Sequence, residues 1–325
     1  MKTTRCLLCL SAGSLVLAAA TATFAQPSYP SRPVRFVVAW APGGSVDLTA
    51  RVVGQKLGEQ LGQQIVIDNR AGASGAIGTE LAAKSAPDGY TLLVGAVSEL
   101  VINPYIVKVP YDPVRDFTAV SPLALEYYVL VVHPSLPARS VKDLIALAKA
   151  RPGEINYASG GTGSNLSLVA ELFKSTAGIN MTHIPYKGGG PARQAVGSGE
   201  SQAMFASISS TLPFVNSNRV VALAVTGPKR SPLLPKVPTF EESGLRTMDV
   251  TSWYGLLAPA ATPREIIARL NAEVVKLAAT PDYLAQLEKL GVEPFTGSPE
   301  TFSAFLKAEL ATWGKVIKAA GIKPD

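Results

Sequence analysis

Short apolar runs alternate with longer amphipathic stretches along most of the chain, the pattern of strands feeding helices in a mostly parallel α/β architecture. Val34 to Trp40 reads as a buried strand, and Ala41 to Ser45 as the turn after it. A helix follows with Val46, Ala50, Val53, Leu57 and Leu61 on one face and Gly62 as its stop. Ile65 to Asp68 is the second strand, Gly72 to Gly75 leads into a second helix, and Thr91 to Gly95 is the third strand. The apolar run 127–132 starts the pattern again. Ser140 and Asp143 cap a helix that Pro152-Gly153 ends, and Ile155 to Ser159 is a strand. A loop over 160–164, a helix over 165–177 closed by Gly178, and a strand from His183 to Tyr186 come next. Pro191 suits the first turn of the following helix, while Met204 to Ser207 and Val220 to Val225 complete the second set of strands. After a proline-rich connection over 227–244 comes the apolar run Trp253 to Ala258. Thr262, Pro263 and Glu265 open one strong helix, and Ser298-Pro299 opens the terminal one.

The apolar runs near 127 and 253 bracket the middle set of elements. If both cross between lobes, lobe one holds both ends of the chain, 26–126 and 250–325, and lobe two is 127–249. A cleft then lies between two mostly parallel sheets joined by two hinge strands. At 325 residues the chain is long enough for two such cores.

The N-terminus changes the picture. Lys2 and Arg5 precede an apolar stretch from Cys6 to Ala20, and Thr23-Phe24-Ala25 offers small residues at cleavage spacing, so residues 1–25 read as a secretory signal peptide cut after Ala25. The apolar core is shorter than the ~20 residues a membrane span needs. Leu8 stands before Cys9 where a lipid-modified cysteine would call for a small residue. Both cysteines fall in this segment, so the exported chain has no thiol nucleophile, disulfide or thiolate metal site. His133 and His183 lack metal-ligand spacing and read as strand or core residues. The formal charge is +6, or +4 once Lys2 and Arg5 are removed, and the basic residues are scattered. That balance suits an anionic ligand and gives no nucleic-acid footprint.

Four glycine-rich loops, 42–45, 72–75, 160–164 and 187–190, follow strands and precede helices, where open α/β sheets bind ligands. Helix N-termini carry unpaired N–H groups and about half a positive charge, so they hold anions. Ser45, Ser74, Thr162 and Ser164 can add hydroxyl donors. Two loops from each lobe facing across a cleft would clamp a carboxylate at each end. Asp47, in a first helical turn, is either a dipole-favoured carboxylate or an acceptor for a ligand hydroxyl or amine.

Two enzyme readings fail on spacing. Gly72 to Gly78 looks like the glycine turn of extended short-chain dehydrogenases, but it follows the second strand and no Tyr precedes a Lys by four residues. A serine hydrolase would need a G-x-S-x-G elbow, which does not occur. No catalytic residue, metal ligand or cofactor site is expected.

Short motifs over nearly the whole exported chain resemble the substrate-binding proteins of tripartite tricarboxylate transporters, the Bug or TctC family. They include Tyr29 to Val34, Pro42-Gly43-Gly44 with Asp47, Asp68-Asn69-Arg70 with Gly72 to Gly78, and Pro87 to Leu93. Asn103-Pro104-Tyr105, Pro110 to Pro113, Asp116-Phe117, Asn156 to Ser159, Gly163-Ser164 and Glu171 to Phe173 continue them. Pro185 to Gly188, Ala258-Pro259 and Thr262-Pro263 complete the set. The resemblance implies a two-lobed periplasmic-binding-protein fold of type II and a ligand with at least one carboxylate. It implicates Gly43, Gly44, Asp47, Ala73, Ser74 and Gly75 in lobe one, and Thr162, Gly163, Ser164, Tyr186 and Lys187 in lobe two. Ser98 and Ser207 join them at strand ends. Members often carry His where Ser167 stands, which bears on the ligand and not on the fold. Trp40 and Tyr128 flank the expected cleft, as stacking platforms or as packing. A monomer in the periplasm, delivering a small carboxylate to a membrane permease of the tripartite tricarboxylate type, is the function implied; a ligand sensor or a secreted enzyme acting on a carboxylate are the alternatives.

Overall fold

In the computed structural model the described residues are 29–162, 164–248 and 250–319. The expected signal peptide and Gly163 lie outside them.

The first sheet begins with β1 (Val34–Val38), whose buried Val34, Phe36 and Val38 face the cluster formed with α1 (Ser45–Leu61). Gly62, in the left-handed conformation at φ 67°, ends that helix as the sequence indicates. β2 (Ile65–Asn69), α2 (Ala76–Ala83) and β3 (Thr91–Ala96) complete a parallel three-stranded unit in the order β2-β1-β3. A π-helical turn over Ser98–Ile102 and the short α3 (Asn103–Ile106) follow.

β4 (Phe117–Val132) is a single strand of 16 residues, of which the apolar pattern picked out only the last six or so. Ser121-Pro122 interrupts the alternation, and the pairing register shifts on both sides of it. Bulges of this kind let a strand bend while hiding its period.

The second unit comprises α4 (Val141–Ala150), β5 (Asn156–Ser159), α5 (Asn165–Ala177), β6 (Thr182–Pro185), α6 (Gly189–Ser198), β7 (Ala203–Ser207), α7 (Ile208–Asn216) and β8 (Val221–Val225). In it β6 and β7 flank β5 as β2 and β3 flank β1 in the first. Ser140 caps α4 by accepting a hydrogen bond from the Asp143 amide. β5 pairs parallel with β6 and β7. Phe173, Phe205 and Phe240 pack at centroid distances of 5.7–5.8 Å in the core of this unit. The chain then returns through β9 (Thr251–Pro259), α8 (Arg264–Leu277), α9 (Pro281–Lys289), β10 (Val292–Pro294) and α10 (Pro299–Ala319).

Two sheets result, joined through β4. Its Phe117–Tyr127 portion pairs antiparallel with β9, which also pairs with β3. Its Tyr128–Val132 portion pairs antiparallel with β7 and β8. The expected α/β class and two-lobed form are present, with three parallel strands in each sheet and antiparallel strands at the junction. The carboxyl ends of β1, β2, β3, β5, β6 and β7 all lead into loops or helix N-termini, where the sequence put its glycines and serines.

One close approach fixes α2 on β1. A Cβ on Gly78 would stand 2.7 Å from the Arg70 carbonyl oxygen and 2.8 Å from the Ala39 Cα, both backbone atoms that cannot swing away. Gly78→Ala should therefore destabilise the protein by about 1–3 kcal/mol in urea unfolding. Gly190→Ala, where a Cβ would meet nothing within 4 Å, should stay within about 0.5 kcal/mol of the parent. Equal midpoints for the two variants would show that α2 can shift off β1 at no cost.

Candidate functional site

A cavity of about 290 Å³ opens at the junction of the two sheets. Its first wall is the segment Trp40 to Val46 with Ala96 and Ser98; its second wall is built by Gly160, Ser164 to Leu166, Lys187 to Pro191, Arg193, Ser207 and Ser210. Glu126, Tyr128, Ser252 and Tyr254, from β4 and β9, form the floor.

On the first wall, Gly43 takes φ 81° so that the chain can turn sharply into α1. Gly44 is the N-cap and supplies no side-chain cap, so no capping side chain satisfies the first-turn amides at the positive end of this 17-residue helix. Asp47 does not line the cavity. It is 1% exposed, and its carboxylate accepts from the Gly43 amide (2.9 Å), Arg51 Nε (3.0 Å) and Asn69 Nδ2 (2.9 Å). Burial pushes that carboxyl up, but the bonds from Arg51, Gly43 and Asn69 outweigh it and hold the group below its ordinary range. Asp47 thus ties the loop to α1 and β2.

The second loop carries four successive residues at positive φ, from Gly72 (138°) through Ala73 (45°) and Ser74 (52°) to Gly75 (92°). For Ala73 and Ser74 this left-handed conformation costs on the order of 1 kcal/mol each. Asn103 Nδ2 holds the turn by donating to the Ser74 carbonyl at 2.7 Å. None of Ala73, Ser74 and Gly75 lines the cavity; Gly75 packs against Glu99 and Trp40, which places this loop behind Trp40. Trp40 faces the cavity, and its indole N–H donates to Glu99 Oε2 at 2.9 Å. Glu99 is fully buried and also accepts from the Ala96 amide at 2.7 Å. Burial dominates over its hydrogen bonds and raises its pKa to about 7.

On the second wall, Ser164 caps α5 by accepting from the Ser167 amide. The Ser167 hydroxyl turns back to the Ser164 carbonyl at 2.7 Å and does not reach the cavity. The Asn165 amide donates to Ser98 Oγ at 3.3 Å, so the walls touch across the cleft, and Asn165 Nδ2 donates to the Tyr128 hydroxyl. Thr162 is exposed and off the cavity. Tyr186 directs its hydroxyl to Glu200 Oε1 (2.9 Å), away from it. Lys187 lines it, followed by Gly188, the N-cap of α6, which like Gly44 has no side chain with which to cap. Of the residues singled out from sequence, the cavity brings together Gly43, Gly44, Ser45, Ser98, Ser164, Lys187 and Ser207. Trp40 and Tyr128 also line it.

The floor contains what the sequence reading missed. Glu126 is 3% exposed, accepts from the Ser45 and Tyr254 hydroxyls, and has its pKa raised by burial against the pull of Ser45, Tyr254 and Ser207. A lone acid inside the apolar run 123–132 was a usable signal, because such groups are almost never fully buried without partners. Arg193, Asn165, Ser210, Ser252 and Tyr254 carried no such signal. His183 stacks on Tyr157 (4.8 Å, 13°) and bonds to Ser159 Oγ at 2.6 Å, outside the cavity. Among the described residues no three His, Cys, Asp or Glu side chains are grouped to hold a metal ion.

A family model described as "Tripartite tricarboxylate transporter family receptor" matches residues 49–322. Among solved structures, R. palustris Rpa4515 with adipate is 37% identical, covers 91% of this chain and 100% of its own, and superposes at TM-score 0.88. The periplasmic binding protein BugD is 30% identical, with 91% and 100% covered and TM-score 0.84. MatC (Rpa3494) from Rhodopseudomonas palustris with bound malate is 30% identical, with 89% and 100% covered and TM-score 0.81.

Glu99 gives the site wall a pH signature. Its folded pKa of about 7 exceeds the ordinary 4.5, so the folded protein holds this proton more tightly than the unfolded chain does. The stability it contributes is complete below about pH 4.5 and is lost as pH rises through about 7, by on the order of 3 kcal/mol. Urea unfolding across this range should show that decline, and Glu99→Gln should flatten it. An unchanged slope in the variant would assign the decline to other groups.

Proposed function

The chain belongs to the tripartite tricarboxylate transporter receptor family, whose members are periplasmic solute-binding proteins, and from that premise we propose that it captures a small carboxylate in the cleft and hands it to a membrane permease of the tripartite tricarboxylate transporter type. In this reading residues 1–25 direct export to the periplasm, 26–126 with 250–325 form one lobe, and 127–249 form the other. The protein acts by capture without chemistry.

One observation carries the reading. α1 and α6 both begin at the cleft from opposite walls, and both begin at a glycine without a side-chain cap. Most helices satisfy their first amides with their own Ser, Thr, Asp or Asn, and here those amides are free for an external anion. α5, which starts at the same cleft, caps itself with Ser164. Lys187 and Arg193 add positive charge at the second wall, while the one acid lining the cavity, Glu126, is buried and shifted toward its neutral form. Gly43, Gly44 and Ser45 would hold the carboxylate, with Ser98, Ser164, Lys187 and Ser207 around it. Asp47 and the loop Ala73 to Gly75 would act from behind, by fixing the first loop and Trp40. The two relatives named above as holding adipate and malate support an acid ligand. Closure of the lobes about β4 and β9 would present the loaded form to the permease.

Thermal melting of protein stripped of carried-over ligand, against mono-, di- and tricarboxylates and their amides, tests this. An acid at a hundredfold excess over its Kd should add about 2.7 kcal/mol of stability. Its amide should add nothing. If no acid shifts the melt, or acid and amide shift it equally, the carboxylate reading is lost.

A further inference from the structure

Arg193 stands apart from the other charged residues of the cleft. It lies in α6, lines the cavity, and is half-buried. Among the described residues its guanidinium makes one hydrogen bond to a side chain, from Nη1 to Ser210 Oγ at 2.8 Å. Ser210 in turn donates to the Ser207 carbonyl at 3.3 Å, which fixes its hydroxyl as an acceptor toward Arg193. The face of Phe214 lies 5.5 Å from the guanidinium carbon. Nε is buried and has no hydrogen-bond partner among the described residues. No described carboxylate pairs with it, and burial alone draws its pKa down. Among the described residues thirteen other Arg or Lys side chains form ion pairs, most of them at the surface.

A guanidinium partly withdrawn from water without a counter-charge is costly, and an anion brought into the cavity would offset that cost. Here the group is oriented by Ser210 and Phe214, so little side-chain entropy is left to lose on binding. It also sits on the wall opposite Gly43 and Gly44, the loop at the head of α1. Between them the floor acid Glu126 is engaged by Ser45 and Tyr254 and does not serve as the partner.

We propose that Arg193 determines specificity in this cleft: it receives a second anionic group of the ligand, so that the protein selects dicarboxylates over monocarboxylates of the same length. This rests on the carboxylate reading above, with the first carboxylate at the head of α1. Ser210 is a positioning residue that holds the guanidinium in place.

Titration calorimetry with matched pairs tests the assignment: succinate with butyrate, glutarate with valerate, adipate with hexanoate. The parent protein should bind at least one dicarboxylate more tightly than its matched monocarboxylate. Arg193→Met should weaken that dicarboxylate by roughly 30-fold or more, the effect of truncating one member of a desolvated charge pair. The matched monocarboxylate should change by less than about 3-fold. Because the guanidinium has no ion-pair partner among the described residues, Arg193→Met should not lower the melting temperature of the unliganded protein. Should that variant fail to fold, Ser210→Ala must show the same selective loss, in smaller degree. Equal losses for both members of a pair, or no loss for either, would overturn the assignment. A parent protein that binds both members equally also overturns it, while leaving carboxylate capture intact. Binding of neither member, in any pair or any other acid, would instead remove the carboxylate reading itself.

Discussion

The pairing of β4 with β9 is the constraint from which the rest of the molecule follows. Over Phe117 to Tyr127 the two strands are hydrogen-bonded in one sheet, and from Tyr128 onward β4 belongs to the other. One buried cluster runs through both halves, with Val37 and Leu93 from the first sheet and Leu130 and Phe205 from the second, and the chain between them is a strand paired on each side of the crossing. A flexible linker would leave the cleft walls free to drift. A paired strand limits them to bending about one line, and that line is the floor of the cavity.

Glu126 sits at that line. By bonding to Ser45 at the start of α1 and to Tyr254 on β9, it ties the first wall to the junction. Asn165, which reaches Ser98 and Tyr128, does the same for the second wall. These groups make the cleft geometry a property of the hinge and not of the loops alone. Their cost is a buried acid, and its raised pKa lowers that cost by favouring the neutral form.

The same economy runs through the first wall. Asp47 is charged but fully engaged, and Glu99 is buried behind Trp40 with its pKa pushed up. Acids close to the cleft are thus either matched by donors or moved toward neutrality. The positive elements, two uncapped helix starts and the side chains of Lys187 and Arg193, face the cavity with little opposing them.

Much of this was legible in the amino-acid order. Local patterns determined the alternation of strands and helices, the glycine loops at strand ends, the cap at Ser140 and the stop at Gly62, because each depends on residues a few positions apart. Motifs spread along the chain pointed to the family. The pattern did not reveal the first ten residues of β4, since Pro122 and two register shifts hide their period. Nor did it separate residues that line the cavity from those that support it. Asp47, Ala73, Ser74 and Tyr186 share the motif positions of true wall residues, and only the fold turns their side chains elsewhere. Glu126 and Tyr254 meet across 128 positions of sequence, and Arg193 stands over the cavity because α6 packs as it does. Short-range order determined which elements form and where glycine is needed; which side chains converge on one cavity was decided by tertiary packing, because those distances are set by strand pairing and not by spacing along the chain.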